Sequence, residues 1–261
     1  MPRPTEASAY ADRREPPRRW PTDERALRKK LVEVCHRTYR QGYIAAMDGN
    51  VSARLGRDRV LVTPSGFHKG MIREEDLVVT DLSGKKIAGR HRPSSEFLMH
   101  DLAYAERSDV GAVVHAHPPI AVALALAGVS LQSCVLSESC LSLGAIVTAP
   151  YATPTTTEVP DSLRDLVRKW NAIILMRHGA LTLGMDLDQA YNRMEIVEHT
   201  AKIIHAARAI GTVTPLPEEE VDKLRRLAEP SGVVIPPPET EVEEALIRRV
   251  EDAVRRRLAG R

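Results

Sequence analysis

The sequence predicts an α/β protein, and three features carry that prediction. Apolar runs short enough for strands, such as Ala172 to Met176, alternate with segments whose apolar residues recur at helical spacing. A cluster of short strand-like runs separated by tight turns, between residues 51 and 88, reads as antiparallel. The chain has 261 residues, within reach of one α/β core.

The elements follow in order. Structure is expected from about Thr22, which suits an N-cap. A helix then runs from Asp23 to about Tyr43, with Leu27, Leu31, Val34, Cys35 and Tyr39 on its apolar stripe. After the turn signal Asp48-Gly49-Asn50 come strands Val51 to Leu55 and Arg59 to Thr63. Past the loop Pro64-Ser65-Gly66, two more strands, Leu77 to Thr80 and Lys85 to Ala88, flank Ser83-Gly84. Ser94-Ser95-Glu96 opens a helix to about Arg107, with Ser94 or Ser95 as its cap. A strand over Ala112 to His117 follows, then an Ala-rich helix from Ile120 to Ala127 that stops at Gly128. Gly144 to Val147 is read as a strand, Pro150 to Pro154 as a loop and Glu158 to Trp170 as a helix. Ala172 to Met176 is a buried strand, Leu181 to Leu183 a candidate strand, and Leu187 to Ile210 a long helix ended by Gly211. Pro-rich linkers then surround two charged helices, Glu218 to Ala228 and Glu241 to Leu258. The expected organisation is a disordered tail over 1–21, a folded domain over 22–211 and a helical extension over 212–261.

Composition excludes several classes. Lys plus Arg is 37 and Asp plus Glu is 35, so the formal net charge of +2 gives no electrostatic footprint for nucleic acid. Aromatic residues make up 4%, too few for a base-stacking surface. No apolar run approaches the roughly 18 residues of a membrane span. Met1 to Trp20 lacks the apolar core of a secretory signal. The three cysteines, Cys35, Cys134 and Cys140, are odd in number and have no C-x-x-C spacing, so reduced thiols in a cytoplasmic protein are expected.

The chemistry concentrates at two apolar runs that end in histidine. Alternate side chains of a strand share a face, so His115 and His117 leave theirs on one side, and Pro118-Pro119 then ends the ladder. A chance pair at a strand end is the plain alternative. The second run delivers His178 beside Gly179. Three neutral imidazoles with a carboxylate such as Glu96 form a usual set for catalytic zinc. Glu96 could equally serve only the helix dipole. Gly49, Asn50, Ser65, Gly66, Ser94 and Ser95 supply small residues and helix-start donors that suit a phosphate, although each alone is also an ordinary turn or cap. Neither G-x-x-x-x-G-K nor G-x-G-x-x-G occurs, so nucleotide phosphate loops are not supported. Glu138 stands in a largely uncharged stretch, either as a solvated loop residue or as a purposeful carboxylate. His91, His100, His199 and His205 sit in a loop or in helices at spacings that suggest no shared site.

G-N-V-S at Gly49, T-P-S-G at Thr63, S-S-E at Ser94, H-A-H at His115 and R-H-G at Arg177 occur in the order and spacing of a known family. From Leu27 to about Ile210 the chain resembles the class II aldolase/adducin family, most closely its fuculose-phosphate-aldolase-like branch. The resemblance implies a three-layer α/β/α fold around a largely antiparallel sheet, and a homotetramer with active sites between subunits. It implies zinc, or another divalent ion such as manganese, on His115, His117 and His178 with Glu96 as the metal-linked acid/base. It implies phosphate on Gly49, Asn50, Ser65, Gly66, Ser94 and Ser95. The implied reaction cleaves a small phosphorylated ketose to dihydroxyacetone phosphate and an aldehyde through a metal-stabilised enediolate. Aldolases of this type use a tyrosine of the adjacent subunit as proton donor, about twenty residues beyond the histidine pair. Here Leu136 holds that place and Glu138 follows two residues on, in the region where methylthioribulose-phosphate dehydratases use a glutamate. Dehydratase, pentulose-phosphate 4-epimerase and oxo-acid-phosphate decarboxylase activities are the related alternatives, and a non-catalytic adducin-like module is the alternative of another class.

Overall fold

The structure is a computed structural model that describes residues 20–237. The N-terminal tail up to residue 19 and the charged helix expected over Glu241 to Leu258 lie outside the described residues. Helix α1 (Glu24–Arg40) is capped by Asp23 rather than Thr22: the Asp23 carboxylate accepts the Ala26 N–H at 3.0 Å. Eight strands follow in one sheet: β1 (Asn50–Leu55), β2 (Arg59–Val62), β3 (Val78–Asp81), β4 (Lys86–Ala88), β5 (Ala112–Ala116), β6 (Val147–Ala149), β7 (Ala172–Leu175) and β8 (Gly179–Gly184). Their order is β4-β3-β2-β1-β5-β8-β7-β6, with every neighbouring pair antiparallel except β6 and β7. The remaining helices are α2 (Phe97–Glu106), α3 (Pro119–Leu126), α4 (Ser137–Leu143), α5 (Glu158–Val167), α6 (Leu187–Ile210) and α7 (Glu218–Ala228).

Strand alternation sorts the core into two layers. Val51, Ala53, Val114, Ala116, Ile174 and Ala180 pack on one face with Leu27, Leu31 and Val34 of α1, Ala121 and Leu124 of α3, and Tyr191, Met194 and Val197 of α6. Val60, Val62, Val113, Ile173, Leu181 and Leu183 pack on the other with Phe97, Leu102 and Tyr104 of α2 and Val159, Leu163 and Val167 of α5. This is the three-layer α/β/α arrangement with a largely antiparallel sheet that the resemblance implied.

Several expectations need correction. The strand expected at Gly144 to Val147 lies instead at Val147–Ala149, because Gly144 at φ 76° closes helix α4 and ends the chain's previous direction. Helix α4 was not foreseen. It packs Cys140 against Val221, Leu224, Ala228, Val233 and Ile235 in a small separate cluster that anchors α7. The cysteines are not all free thiols. The turn into α4 brings Cys134 and Cys140 to a Cα separation of 5.8 Å, and they form a disulfide, while Cys35 is free and buried. Among the described residues no helix is long and apolar enough to cross a membrane.

Candidate metal centre

The site lies where one face of the sheet runs out of apolar side chains. On β5, Val113 packs on the α2 side, and His115 and His117 continue that face beyond it. His115 pairs across the sheet with Asn50 on one side and Leu181 on the other. His117 has just left the strand, and its N–H donates to the Tyr43 carbonyl at 2.7 Å. The chain then enters α3, whose first N–H groups at Ile120 and Ala121 donate to the buried Glu198 carboxylate at 3.0–3.2 Å. His178 occupies the three-residue loop of the β7–β8 hairpin, after Arg177 at φ 60°. Glu96 is the N-cap residue of α2. The expected serine caps are therefore displaced outward: Ser94 Oγ accepts only the Glu96 N–H, at 3.3 Å, and the helix begins at Phe97.

These residues converge. The ligand atoms of His115, His117 and His178 all lie within 4.8 Å of one another. The Nε2 atoms of His115 and His117 are 3.2 Å apart; Glu96 Oε1 is 3.1 Å from His178 Nε2, and Glu96 Oε2 is 3.6 Å from His115 Nε2. Two ligand atoms on one tetrahedral zinc stand about 3.3 Å apart, from bond lengths of about 2.0–2.1 Å. The donor chemistry fits as well. His115 Nδ1 lies 3.0 Å from the Ala180 carbonyl, which fixes its proton there and leaves Nε2 as a bare lone pair. His117 Nδ1 faces Asp48 Oδ2 at 3.5 Å, which directs its Nε2 lone pair towards that of His115. Two facing lone pairs repel, and a shared cation relieves them. Burial holds the His115 imidazole down at about 3, so it is neutral at pH 7. Burial, then repulsion from His178, also lowers His117. Burial alone would raise the Glu96 carboxyl, but the His178 hydrogen bond and the fields of the three imidazoles outweigh it and hold Glu96 at about 2.

A cavity of about 250 Å³ opens beside this cluster. All six residues expected to hold phosphate, Gly49, Asn50, Ser65, Gly66, Ser94 and Ser95, line it together with Glu96, His117 and His178. Gly49, at φ 67°, admits no side chain: a Cβ would meet Ile44 at 2.6 Å and the His115 carbonyl at 2.8 Å. Glu138 is exposed in the first turn of α4 and does not line this cavity within one chain. His199 and His205 are exposed on α6, and His91 pairs loosely with Asp76 at 3.6 Å.

Sequence reasoning passed over three neighbours. Asp48 had been only part of a turn. Lys69, buried at the cavity wall, donates to the carbonyls of Met47 and Phe67 at 2.8 Å and so ties the two loops that carry Gly49 and Gly66. His100 is fully buried and bonds to Asn50. A signal for it existed, since Glu96, His100 and Tyr104 repeat every four residues on one helix face.

Three clustered histidines that could hold a metal ion, an adjoining carboxylate and a polar cavity stand together on this α/β sheet. Residues 29–205 match the family described as Class II Aldolase and Adducin N-terminal domain, and the chain belongs to that family. It is 34% identical to L-fuculose phosphate aldolase of Methanococcus vannielii, over 68% of this chain and 94% of that protein. It is 30% identical to 5-deoxy-D-ribulose 1-phosphate aldolase of Bacillus thuringiensis, over 77% of this chain and 95% of that one. Among solved structures, an L-fuculose 1-phosphate aldolase superposes with a TM-score of 0.71 at 30% identity, covering 78% of this chain and 95% of the other.

Proposed function

We propose that the protein is a divalent-metal-dependent aldolase that splits a small phosphorylated ketose into dihydroxyacetone phosphate and an aldehyde. The observation that carries this reading is the convergence of three imidazole nitrogens and one carboxylate beside a cavity lined by the six small phosphate-suited residues. Relatives with the same fold are named as aldolases of two different sugar phosphates, which supports the substrate class. His115, His117 and His178, with Glu96, would hold zinc, or manganese as the other candidate, and a cation there supplies Lewis-acid polarisation of the substrate oxygens.

The chain's own residues divide the remaining work. Gly49, Asn50, Ser65, Gly66, Ser94 and Ser95 bind and orient the phosphate, with the buried Lys69 ammonium behind them. Glu96 takes the proton from the carbon next to the carbonyl in the condensation direction and returns it on cleavage. Met47, 58% exposed at the cavity rim, suits a subunit contact, consistent with a homotetramer whose sites lie between chains. In this reading Glu138, exposed on α4, would serve a neighbour's site as proton donor where Leu136 cannot.

A panel of ketose 1-phosphates, assayed for dihydroxyacetone phosphate with zinc, manganese or chelator, tests the reading. Metal-dependent release is expected, and no release from any member with about one ion bound per chain sinks it. Glu138 at the tyrosine's region also favours a second reading, dehydration of a methylthioribulose-type phosphate. The same panel separates the two, because dehydration yields no dihydroxyacetone phosphate.

A further inference from the structure

Between β1 and α2 lies a run of buried polar groups, of which the aldolase reading uses only Asn50 and Glu96. Asn50 and Ser52 share one face of β1, and Glu96, His100 and Tyr104 share one face of α2. Tyr104 Oη and Ser52 Oγ are 2.7 Å apart, Ser52 Oγ and His100 Nδ1 2.6 Å, His100 Nε2 bonds to Asn50 Oδ1, and Asn50 Nδ2 reaches Glu96 Oε2 at 2.9 Å. Ser52 and His100 are fully buried, and Asn50 and Tyr104 are nearly so.

The direction of every bond in this chain follows from its two ends. An ionised carboxylate only accepts, so Asn50 must turn its NH2 to Glu96 and its oxygen to His100. His100 Nε2 must then carry a proton. Complete burial keeps the ring neutral, so Nδ1 is an acceptor and the Ser52 hydroxyl donates to it. Ser52 in turn accepts from the Tyr104 hydroxyl. Four donors therefore point one way, from Tyr104 to Glu96.

We propose that His100 is a positioning residue for proton transfer by Glu96. It locks the Asn50 amide so that Oε2 of Glu96 always accepts from it, and it thereby reserves Oε1 for the substrate proton. Oε1 is the oxygen 3.1 Å from His178, which lines the cavity, whereas Oε2 faces His115, which does not. In the step served, the C–H bond of dihydroxyacetone phosphate breaks, its electron pair stays on the substrate as the enediolate, and the proton lands on Oε1. A leucine at position 100 would fill the space but leave Asn50 Oδ1 buried without a donor, so the amide would lose the bond that pins its NH2 on Oε2.

This inference rests on the assignment of Glu96 as the acid/base, and the test separates the two. Deuterium exchange from D2O into dihydroxyacetone phosphate reads the step directly, alongside metal content and dihydroxyacetone phosphate affinity. His100→Leu is expected to slow exchange about 10–100-fold, the usual range for a residue behind a ligand or catalytic group, with metal retained and affinity within about threefold. His100→Gln, whose amide can donate to Asn50 Oδ1, is expected to recover most of the loss. Tyr104→Phe leaves the Ser52 hydroxyl in place and is expected to change exchange less than about twofold. Nitrogen NMR of the wild-type protein should show His100 protonated on Nε2, and this readout stands even if His100→Leu fails to fold. An Nδ1-protonated His100 overturns the proposal. So does wild-type exchange in His100→Leu while Glu96→Gln is inactive. Normal exchange in Glu96→Gln instead removes the functional reading on which the proposal stands.

Discussion

Gly179→Ala tests the candidate metal centre without replacing any of its proposed ligands. Gly179 opens β8 against the end of β5, and its φ is not in the left-handed region, so alanine is allowed by the backbone. The difficulty is space: the added methyl would lie 2.5 Å from the Ala116 carbonyl oxygen, 2.6 Å from His117 Cδ2 and 3.0 Å from His115 Cε1. Carbon–carbon contacts settle at about 3.5–4.0 Å, so the His117 ring must retreat by about 1 Å. Metal–ligand distances tolerate about 0.2 Å, so this displacement costs the ligand. Overpacking adds about 1–3 kcal/mol of destabilisation, of which the stiffer unfolded chain offsets about 0.4–1 kcal/mol. The variant is therefore expected to fold, with a Tm lower by up to about 10 °C, and to bind zinc about 100-fold or more weakly. Zinc titration with a competing chelator, run beside circular dichroism, measures both. Zinc affinity within threefold of wild type in a folded Gly179→Ala protein would refute the claim that these rings share one ion.

The other predictions concern charge and packing. His100 and His115 are held at about 3 in the folded state by burial, against about 6.5 unfolded, so the unfolded chain binds more protons between those values. Stability of the chelator-treated protein is therefore complete above pH 6.5 and falls as pH drops towards 3, by about 2 kcal/mol per histidine between pH 7 and 5. Urea unfolding at the two pH values checks this, and equal stability contradicts it. Glu198→Ala leaves the half-buried Ile120 and buried Ala121 N–H groups without their acceptor, and should cost about 1.5–3 kcal/mol in the same assay. Glu138→Gln should slow turnover about 100-fold or more if Glu138 donates a proton across a subunit boundary, whereas unchanged kinetics would leave it a solvated helix residue.

What could be read from the sequence depended on whether a residue's role is set by local period or by two elements crossing. Strand alternation is local, so the shared face of His115 and His117 was legible before any coordinates, as was the delivery of His178 at the end of an apolar run. Gly49, Ser65 and Ser94 were legible as turn and helix-start residues, although Glu96 rather than a serine is the N-cap. Helix α4 was not, because Ser137, Glu138 and Ser139 give no apolar period and its stability comes from the patch it shares with α7. The Cys134–Cys140 pairing depends on that same helix and was hidden with it. Lys69 acquires a role only because the Met47 and Phe67 carbonyls, twenty residues apart in the chain, meet at its ammonium. His100 falls between these cases: its helix stripe is local, but its meaning comes from β1 crossing that stripe at Asn50 and Ser52. The alternation that packs Val113 against α2 also sets His115 opposite Asn50 on the same face, so sorting the core and aiming the ligands are one consequence of the strand's period. A one-residue slip of β5 would turn both His115 and His117 into the α3–α6 layer, so the apolar residues that fix this register also hold the candidate metal site in place.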